Sequence, residues 1–130
     1  MKIIYSNNKT EKLCEDSKKA NKVLGPEVAN RLSDLLNAIE SFPTLLDLKG
    51  LHQYRLHSLG YDREYQYSFV IHKSYKWRLI VYPLHEQGNI LKDKRNEIEM
   101  LSKAVMVEVL EVSEHYDWEK KSSKSSWHLH

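Results

Sequence analysis

The residues best suited to chemistry are cations, histidines and tyrosines that alternate in the middle of the chain. Residues 49–82 carry six Lys/Arg against two Asp/Glu, include His52, His57 and His72, and contain six of the eight tyrosines. Cationic side chains bind phosphates and aromatic rings stack on unpaired bases, so this composition is typical of an RNA-contacting surface. A tyrosine-rich sheet with solvated lysine and arginine side chains has the same composition, and composition alone does not separate the two interpretations.

The flanking regions are close to neutral. Residues 1–48 carry seven basic and seven acidic side chains, and residues 83–130 carry seven and nine, within a net charge of +2. The chain of 130 residues is 41% hydrophobic, which predicts one domain with one core. We expect this domain at residues 1–118 and a disordered tail at residues 119–130, where apolar periodicity ends.

Two absences in the sequence exclude further classes of protein. Cys14 is the single cysteine, which excludes an internal disulfide framework and a zinc site built from several thiolates. No stretch approaches the roughly 18 apolar residues that span a membrane, and residues 1–5 lack the apolar core of a signal peptide. We therefore expect a cytoplasmic protein with no membrane association, no bound metal and no cofactor.

The elements that must position the central residues begin with a strand and a pair of helices. Residues 2–6 predict a short strand because isoleucine and tyrosine suit a half-buried pleated surface. Apolar residues recur at helical spacing across residues 9–24 and 26–41, which predict two helices paired as a hairpin. Pro43 ends the second helix, and residues 44–51 are predicted to be a connector.

Beyond this connector the apolar pattern becomes strand-like. Residues 53–58, 65–72 and 75–82 are rich in tyrosine, valine and isoleucine, and they predict a three-stranded antiparallel meander. Residues 105–112 are rich in valine, which is β-branched, and predict the last strand. Residues 90–103 are compatible with a short helix or an ordered loop. The order of elements predicts an α+β domain in which an N-terminal strand and a two-helix hairpin pack on a small antiparallel sheet.

Three stretches of sequence carry a resemblance to a known family. They are residues 55–68, RLHSLGYDREYQYS, residues 75–80, YKWRLI, and residues 109–117, VLEVSEHYD. Together with the order of elements, they resemble the HigB branch of the RelE/ParE toxins. The likeness covers residues 1–117 in layout.

The resemblance implies a RelE-like fold and a toxin of a type II toxin–antitoxin system. Such a toxin is a metal-independent endoribonuclease, or mRNA interferase, that cuts messenger RNA on the ribosome and thereby inhibits translation. Its expected partners are the ribosome with its mRNA and a cognate antitoxin, a HigA-like helix-turn-helix protein. Contact with operator DNA is expected only through that antitoxin.

Metal-independent cleavage drives the ribose 2′-hydroxyl into the adjacent phosphate, which requires a base, an acid and cations around the phosphorus. The resemblance places Arg78 in this site, where a guanidinium holds a phosphate through two parallel hydrogen bonds. His57 is the candidate general base because imidazole titrates near neutral pH, and His115 and Tyr116 are the candidate C-terminal acid or base. The predicted RNA-binding residues are Arg63, Arg55, Lys76 and Lys49.

Each of these residues also has a structural interpretation. Arg78 is expected to face solvent and substrate, but a surface ion pair with Asp62 or Glu64 is the alternative. The alternative for Arg63 is that it only closes its turn. The alternative for His57 is that it is a hydrogen-bonded structural residue at a strand end. An exposed lysine at position 76 is more often merely solvated.

The chain departs from the family pattern at three places, which leaves two other functions open. Tyr61 occupies a glycine position, the order of residues 115–117 is reversed, and residues 84–103 resemble an insertion. One alternative is a ParE-like toxin that poisons DNA gyrase. The other is a catalytically degenerate member that only binds its antitoxin.

Overall fold

A computed structural model describes residues 1–72, 74 and 76–114, with the backbone but not the side chain of residue 61. This part of the chain is an α+β structure of five strands and five helices, joined by loops that include 3-10 turns at His52–Tyr54, Tyr61–Arg63 and Lys94–Asn96. The strands are β1 (Lys2–Tyr5), β2 (His57–Ser58), β3 (Tyr67–His72), β4 (Trp77–Leu84) and β5 (Met106–Glu114). The helices are α1 (Asn8–Glu15), α2 (Ser17–Leu24), α3 (Pro26–Ser41), α4 (Leu45–Lys49) and α5 (Glu97–Ser102).

The five strands form one mixed sheet in the order β1-β5-β4-β3-β2. The strands β2 to β5 are antiparallel to their neighbours, but β1 runs parallel to β5, with Ile3 opposite Val107. The prediction of an antiparallel sheet is therefore wrong at one edge. The first and last strands pair there in the same direction, which is possible because the helices and the meander lie between them in the chain.

The helical hairpin differs from its prediction in the first member. The second predicted helix, over residues 26–41, is confirmed as α3. The first, over residues 9–24, is divided at Asp16, whose Oδ1 accepts the backbone N–H groups of Lys18 at 3.1 Å and Lys19 at 3.2 Å. An aspartate that satisfies the free N–H groups of a helix start is an N-cap, so α2 begins anew at residue 17.

The predicted connector at residues 44–51 contains a helix, α4. The backbone N–H of Thr44 donates to Asp47 Oδ2 at 3.1 Å, and Leu45 and Leu48 are fully buried. The predicted strand at 53–58 is mostly lost, because Arg55 adopts a left-handed φ of 44° and only β2 remains. Residues of a strand need extended backbone, and a single left-handed residue interrupts it.

The remaining strand predictions agree with the structure in type and approximate position. Strands β3 and β4 correspond to the segments 65–72 and 75–82, and β5 corresponds to 105–112. The undecided segment 90–103 forms a 3-10 turn followed by α5, whose first free N–H groups are capped by Asn96. Residue 75 and the predicted tail at 119–130 lie outside the described residues.

The sheet packs one face against the helices. Alternate residues of the central strands, Tyr67, Phe69, Leu79 and Val81, are fully buried in the same cluster as the apolar side chains of α3. Because successive strand residues point to opposite faces, the residues between them belong to the other side of the sheet. Within the described part of the chain, none of the helices has the length and apolar character needed to cross a membrane.

Candidate functional site

The face of the sheet opposite the helices gathers polar side chains from four strands. The register pairs Ser68 with Ile80 and Ile80 with Glu111, and residues paired in this way point to the same side. We name this side the outer face and define it by its residues: His57, Leu59, Gln66, Ser68, Val70, Arg78, Ile80, Tyr82, Glu108, Glu111 and Ser113. It has an apolar floor, since Leu59, Val70 and Ile80 are all buried.

Arg78 lies in β4, the central strand of the sheet, between Val70 of β3 and Ser113 of β5. Its residue is only 7% exposed, and its Nη1 donates to the carbonyl of Trp77 at 3.1 Å. The expectation that this side chain faces solvent is therefore wrong, because a central strand is flanked on both sides whereas an edge strand is not. Arg78 is a buried cation held in a fixed position on the outer face.

Arg63 reaches across the outer face from the loop between β2 and β3. Its Nη1 lies 2.9 Å from Glu111 Oε1 of β5 and donates to Gln66 Oε1 at 3.2 Å. The Gln66 side-chain amide in turn donates to the Tyr82 hydroxyl at 3.5 Å. The backbone N–H of Arg63 donates to the carbonyl of Gly60 at 3.1 Å, so this residue closes its turn and also spans the sheet with its guanidinium.

His57 is exposed in the edge strand β2, and its hydrogen bond defines its tautomer. The ring Nδ1 donates to the carbonyl of Arg55 at 2.8 Å, so the neutral ring carries its lone pair on Nε2, as a general base requires. His57 is opposite Ser68, which is opposite Ile80, so two inter-strand spacings and two residues along β4 separate His57 from Arg78. This corresponds to roughly 12 Å between their Cα atoms. A substrate must therefore lie across β2, β3 and β4 to meet both residues.

Two predicted RNA-binding residues border this face in strained backbone. Arg55 is exposed and precedes β2 with its φ of 44°, and Lys76 is exposed in the turn before β4 with a φ of 60°. His115 and Tyr116 lie outside the described residues. The last described residue, Glu114, is paired with Trp77, the neighbour of Arg78.

Lys49 lies on the helical side of the sheet, away from the outer face. Its Nζ is 2.8 Å from Glu97 Oε1, and Glu97 Oε2 accepts a hydrogen bond from the Tyr67 hydroxyl at 2.8 Å. The hydrogen bond from Lys49 lowers the pKa of Glu97, and burial together with the bond to Glu97 raises the pKa of Tyr67. This network fastens α5 to α4 and β3, so the structure gives Lys49 an anchoring contact.

His72, counted in the basic segment, also has a structural contact. It is buried at the end of β3, where its Nε2 lies 3.0 Å from Glu27 Oε1 of α3. The backbone N–H of Ser74 donates to its Nδ1 at 3.2 Å. The ring therefore joins the strand end to the start of a helix.

The outer-face residues that form a network with Arg63 were missed from the sequence, and they are Gln66, Tyr82 and Glu111. Tyr82 follows Arg78 by four residues in one strand, so strand alternation already places both on one side. Strand alternation does not place Glu111 in the same way. The register of β5 shifts between its pairings with Ile80 and Val81, so the residues after this shift point to the opposite face from the one that simple alternation predicts.

Comparison with known proteins adds no family to this geometry. The chain matches no protein-family model, and no curated protein matches it significantly. The function is therefore argued from the outer face itself: one buried arginine, one arginine paired with a glutamate, and one exposed histidine with a basic nitrogen.

Proposed function

We propose that this protein is a ribosome-dependent mRNA endonuclease, the toxin of a type II toxin–antitoxin pair with a RelE-like fold of the HigB kind. The observation that supports it most is the placement of Arg78, Arg63 and His57 on one face of the sheet. Two guanidinium groups and an imidazole can supply the cations and the base that metal-independent phosphodiester cleavage requires.

In the proposed reaction, His57 Nε2 takes the proton of a ribose 2′-hydroxyl while the 2′-oxygen attacks the adjacent phosphorus. The bond from phosphorus to the 5′-oxygen breaks, leaving a 2′,3′-cyclic phosphate. Arg78 and Arg63 stabilise the negative charge that accumulates on the phosphoryl oxygens. The family resemblance assigns the protonation of the leaving oxygen to His115 or Tyr116.

The electrostatics of the outer face favour dependence on the ribosome. Arg78 is largely buried, and the guanidinium of Arg63 already contacts a carboxylate, so neither offers free RNA a strong initial contact. Productive geometry must then come from a scaffold that holds the message across three strands. The ribosome supplies such a scaffold.

We further propose a cytoplasmic location and a cognate HigA-like helix-turn-helix antitoxin. An antitoxin that restrains this chemistry must cover or distort the outer face. Through the antitoxin the complex would also bind operator DNA.

Primer extension on a defined message, with and without ribosomes, tests this function. Discrete cuts are expected only when ribosomes are present, and cuts of equal strength in naked RNA would contradict the ribosome-dependent assignment. Inhibition of DNA gyrase without any cleavage would instead favour the ParE-like alternative.

The matched variants are Arg78→Lys and, as a control, Arg31→Lys on the exposed side of α3. Lysine keeps the charge of Arg78 but loses the paired hydrogen bonds, each worth about 1.5–3 kcal/mol when charge-assisted. We expect cleavage to fall at least tenfold for Arg78→Lys, by roughly the factor that 1.4 kcal/mol gives. Unchanged cleavage by this variant would remove Arg78 from the site. Arg78→Ala is less informative because it also empties a buried position and lowers stability.

A further inference from the structure

Lys92 and Lys94, in the loop before α5, share one aromatic ring. Their ammonium nitrogens lie 5.4 Å and 5.2 Å from the centroid of the Tyr65 ring, which belongs to the loop between β2 and β3. Both distances are within the range of cation–π attraction. The ring therefore holds together two like charges that would otherwise repel each other.

The loop that carries the two lysines is fixed at both ends. The backbone N–H of Leu91 donates to the carbonyl of Pro83 at 2.9 Å, and Ile90 forms a bridge with Leu84. On the other side, Glu97 is bound to Lys49 and Tyr67. The lysines are thus presented from a segment anchored to the sheet before them and to the helices after them.

The partner ring belongs to a residue with strained backbone. Tyr65 has a φ of 71°, a left-handed conformation that a bulky side chain rarely adopts and that surrounding contacts must maintain. Glu64 lies beside its hydroxyl and raises the pKa of Tyr65. The two loops therefore each contribute to the contact: one supplies the ring of Tyr65 and the other supplies the ammonium groups of Lys92 and Lys94.

The charges of this cluster favour an anionic ligand, because the two ammonium groups outnumber the one carboxylate, that of Glu64, beside the Tyr65 hydroxyl. Asp93 lies 3.7 Å from the exposed Arg95, and no ion pair joins Lys92 or Lys94 to a carboxylate within the described residues. An anion between the two ammonium groups would relieve their mutual repulsion. The cluster adjoins the outer face, because the residue after Tyr65 is Gln66, whose side chain donates a hydrogen bond to the Tyr82 hydroxyl.

We propose that Tyr65, Lys92 and Lys94 form a binding site for the phosphate backbone of single-stranded RNA, next to the outer face. As a site for the message that is being cut, it rests on the proposed function. RNA that crosses the outer face would continue past Gln66 and Tyr82, and a phosphate away from the scissile bond would contact the two lysines. The ligand class is a single-stranded nucleic acid, because the cluster offers point charges for phosphates together with an aromatic ring.

Fluorescence anisotropy with a labelled single-stranded RNA of about 12 nucleotides tests the site. The variant is Lys92→Gln with Lys94→Gln, and the control is Lys18→Gln with Lys19→Gln, which removes the same charge from the exposed start of α2. We expect the first pair to weaken binding at least tenfold at about 50 mM salt and to reduce the slope of log affinity against log salt by about 1.4. The control pair should change neither quantity by a comparable amount.

Two single variants test the ring. Tyr65→Phe keeps the ring and should bind RNA within about twofold of the natural protein, whereas Tyr65→Asn removes the ring but tolerates left-handed backbone and should bind at least about threefold more weakly. Equal binding by the Lys92/Lys94 and Lys18/Lys19 pairs, or by the two Tyr65 variants, would overturn the proposal. So would an absence of RNA binding by the natural protein at low salt.

Cleavage on ribosomes, measured in parallel, separates this inference from the proposed function. If the natural protein binds RNA through the cluster but cuts no message, the proposed function fails and the binding site remains. If the natural protein cuts messages and the Lys92/Lys94 variant binds RNA normally, the binding site fails alone.

Discussion

The two faces of the sheet carry networks of similar composition, and the ion pairs at their centres are exposed to a similar extent. On the helical side, Glu97 binds Lys49 and the hydroxyl of the fully buried Tyr67, each at 2.8 Å. Glu97 is the first residue of α5 and joins this helix to α4 and β3, which gives the network a stabilising role. Both contacts are short, and Glu97 accepts through both of its oxygens.

The outer-face network has a looser geometry. Glu111 contacts Arg63 at 2.9 Å, but the link from Gln66 to Tyr82 is 3.5 Å long, and both of these residues are only half-buried whereas Tyr67 is fully buried. Each of the two ion pairs is partly exposed and by itself contributes little to stability, about 0–1 kcal/mol. Glu97 also accepts a hydrogen bond from the hydroxyl of the buried Tyr67. The further bonds of the carboxylate, rather than the type of cation, therefore distinguish the anchoring residue Lys49 from the candidate binding residue Arg63.

Cleavage activity should separate the two cations most clearly. Arg63→Gln removes a guanidinium from the proposed phosphate site and should lower ribosome-dependent cleavage about tenfold or more, with little change in melting temperature. Lys49→Gln should leave cleavage within about twofold and change the stability by no more than about 1 kcal/mol, because its ion pair is exposed to a similar extent as that of Arg63. Cleavage rates and thermal melts of both variants check this. A loss of cleavage from Lys49→Gln in folded protein would contradict the assignment of the two faces.

An intermediate effect is expected from Glu97→Ala, which leaves the Tyr67 hydroxyl and Lys49 without their shared acceptor. We expect a loss of about 1–2 kcal/mol in the free energy of unfolding, measured by urea denaturation, and retained cleavage by the folded protein. The control is Glu99→Ala on the same helix, whose ion pair with Lys103 has both side chains more than half exposed. It should cost less, and an equal loss from both variants would argue against the network.

The same variant has a defined pH dependence. The folded protein depresses the pKa of Glu97, chiefly through the hydrogen bond from Lys49. The stabilisation is therefore fully present above the unfolded carboxyl pKa of about 4.3 and is lost as pH falls through the folded value. The stability difference between the natural protein and Glu97→Ala should shrink below that pH, in urea titrations at successive pH values.

Local patterns predicted the parts of the fold that depend on neighbours in sequence. The spacing of Leu32, Leu35 and Ile39 was enough to predict α3, because a helix places those positions on one face without reference to other elements. Strand alternation likewise predicted β3 and β4. The break at Asp16 also had a local signal, an aspartate before a serine, that predicts a helix start.

Long-range partners were the features that the sequence did not reveal. Lys49 was grouped with Arg63 by charge and segment, yet its carboxylate partner is 48 positions away, on a helix whose existence was undecided. The strand predicted over residues 53–58 is interrupted at Arg55 by a left-handed φ, which the residue type does not predict. Arg78 was placed in the correct strand, but its burial depended on the strands that flank it.

A smaller change is expected from Glu111, the carboxylate that pairs with Arg63 on the outer face. Glu111→Gln removes a negative charge beside the proposed phosphate site, while the amide oxygen can still accept from Arg63. A unit charge several ångströms from a phosphate contributes somewhat less than about 1 kcal/mol in water, so RNA should bind about two- to fivefold more tightly at low salt. The gain should shrink near about 0.15 M salt, where screening shortens the reach of exposed charges.

Glu114→Gln is the matched control, because Glu114 lies on the same strand but is opposite Trp77, whose side chain packs towards the helices. It removes the same charge from the chain and should leave RNA affinity nearly unchanged. Anisotropy titrations of both variants at two salt concentrations decide the point. If Glu111→Gln binds RNA more weakly than Glu114→Gln, Glu111 aids RNA binding instead of opposing it, and the outer-face pair is then part of the binding surface as a unit.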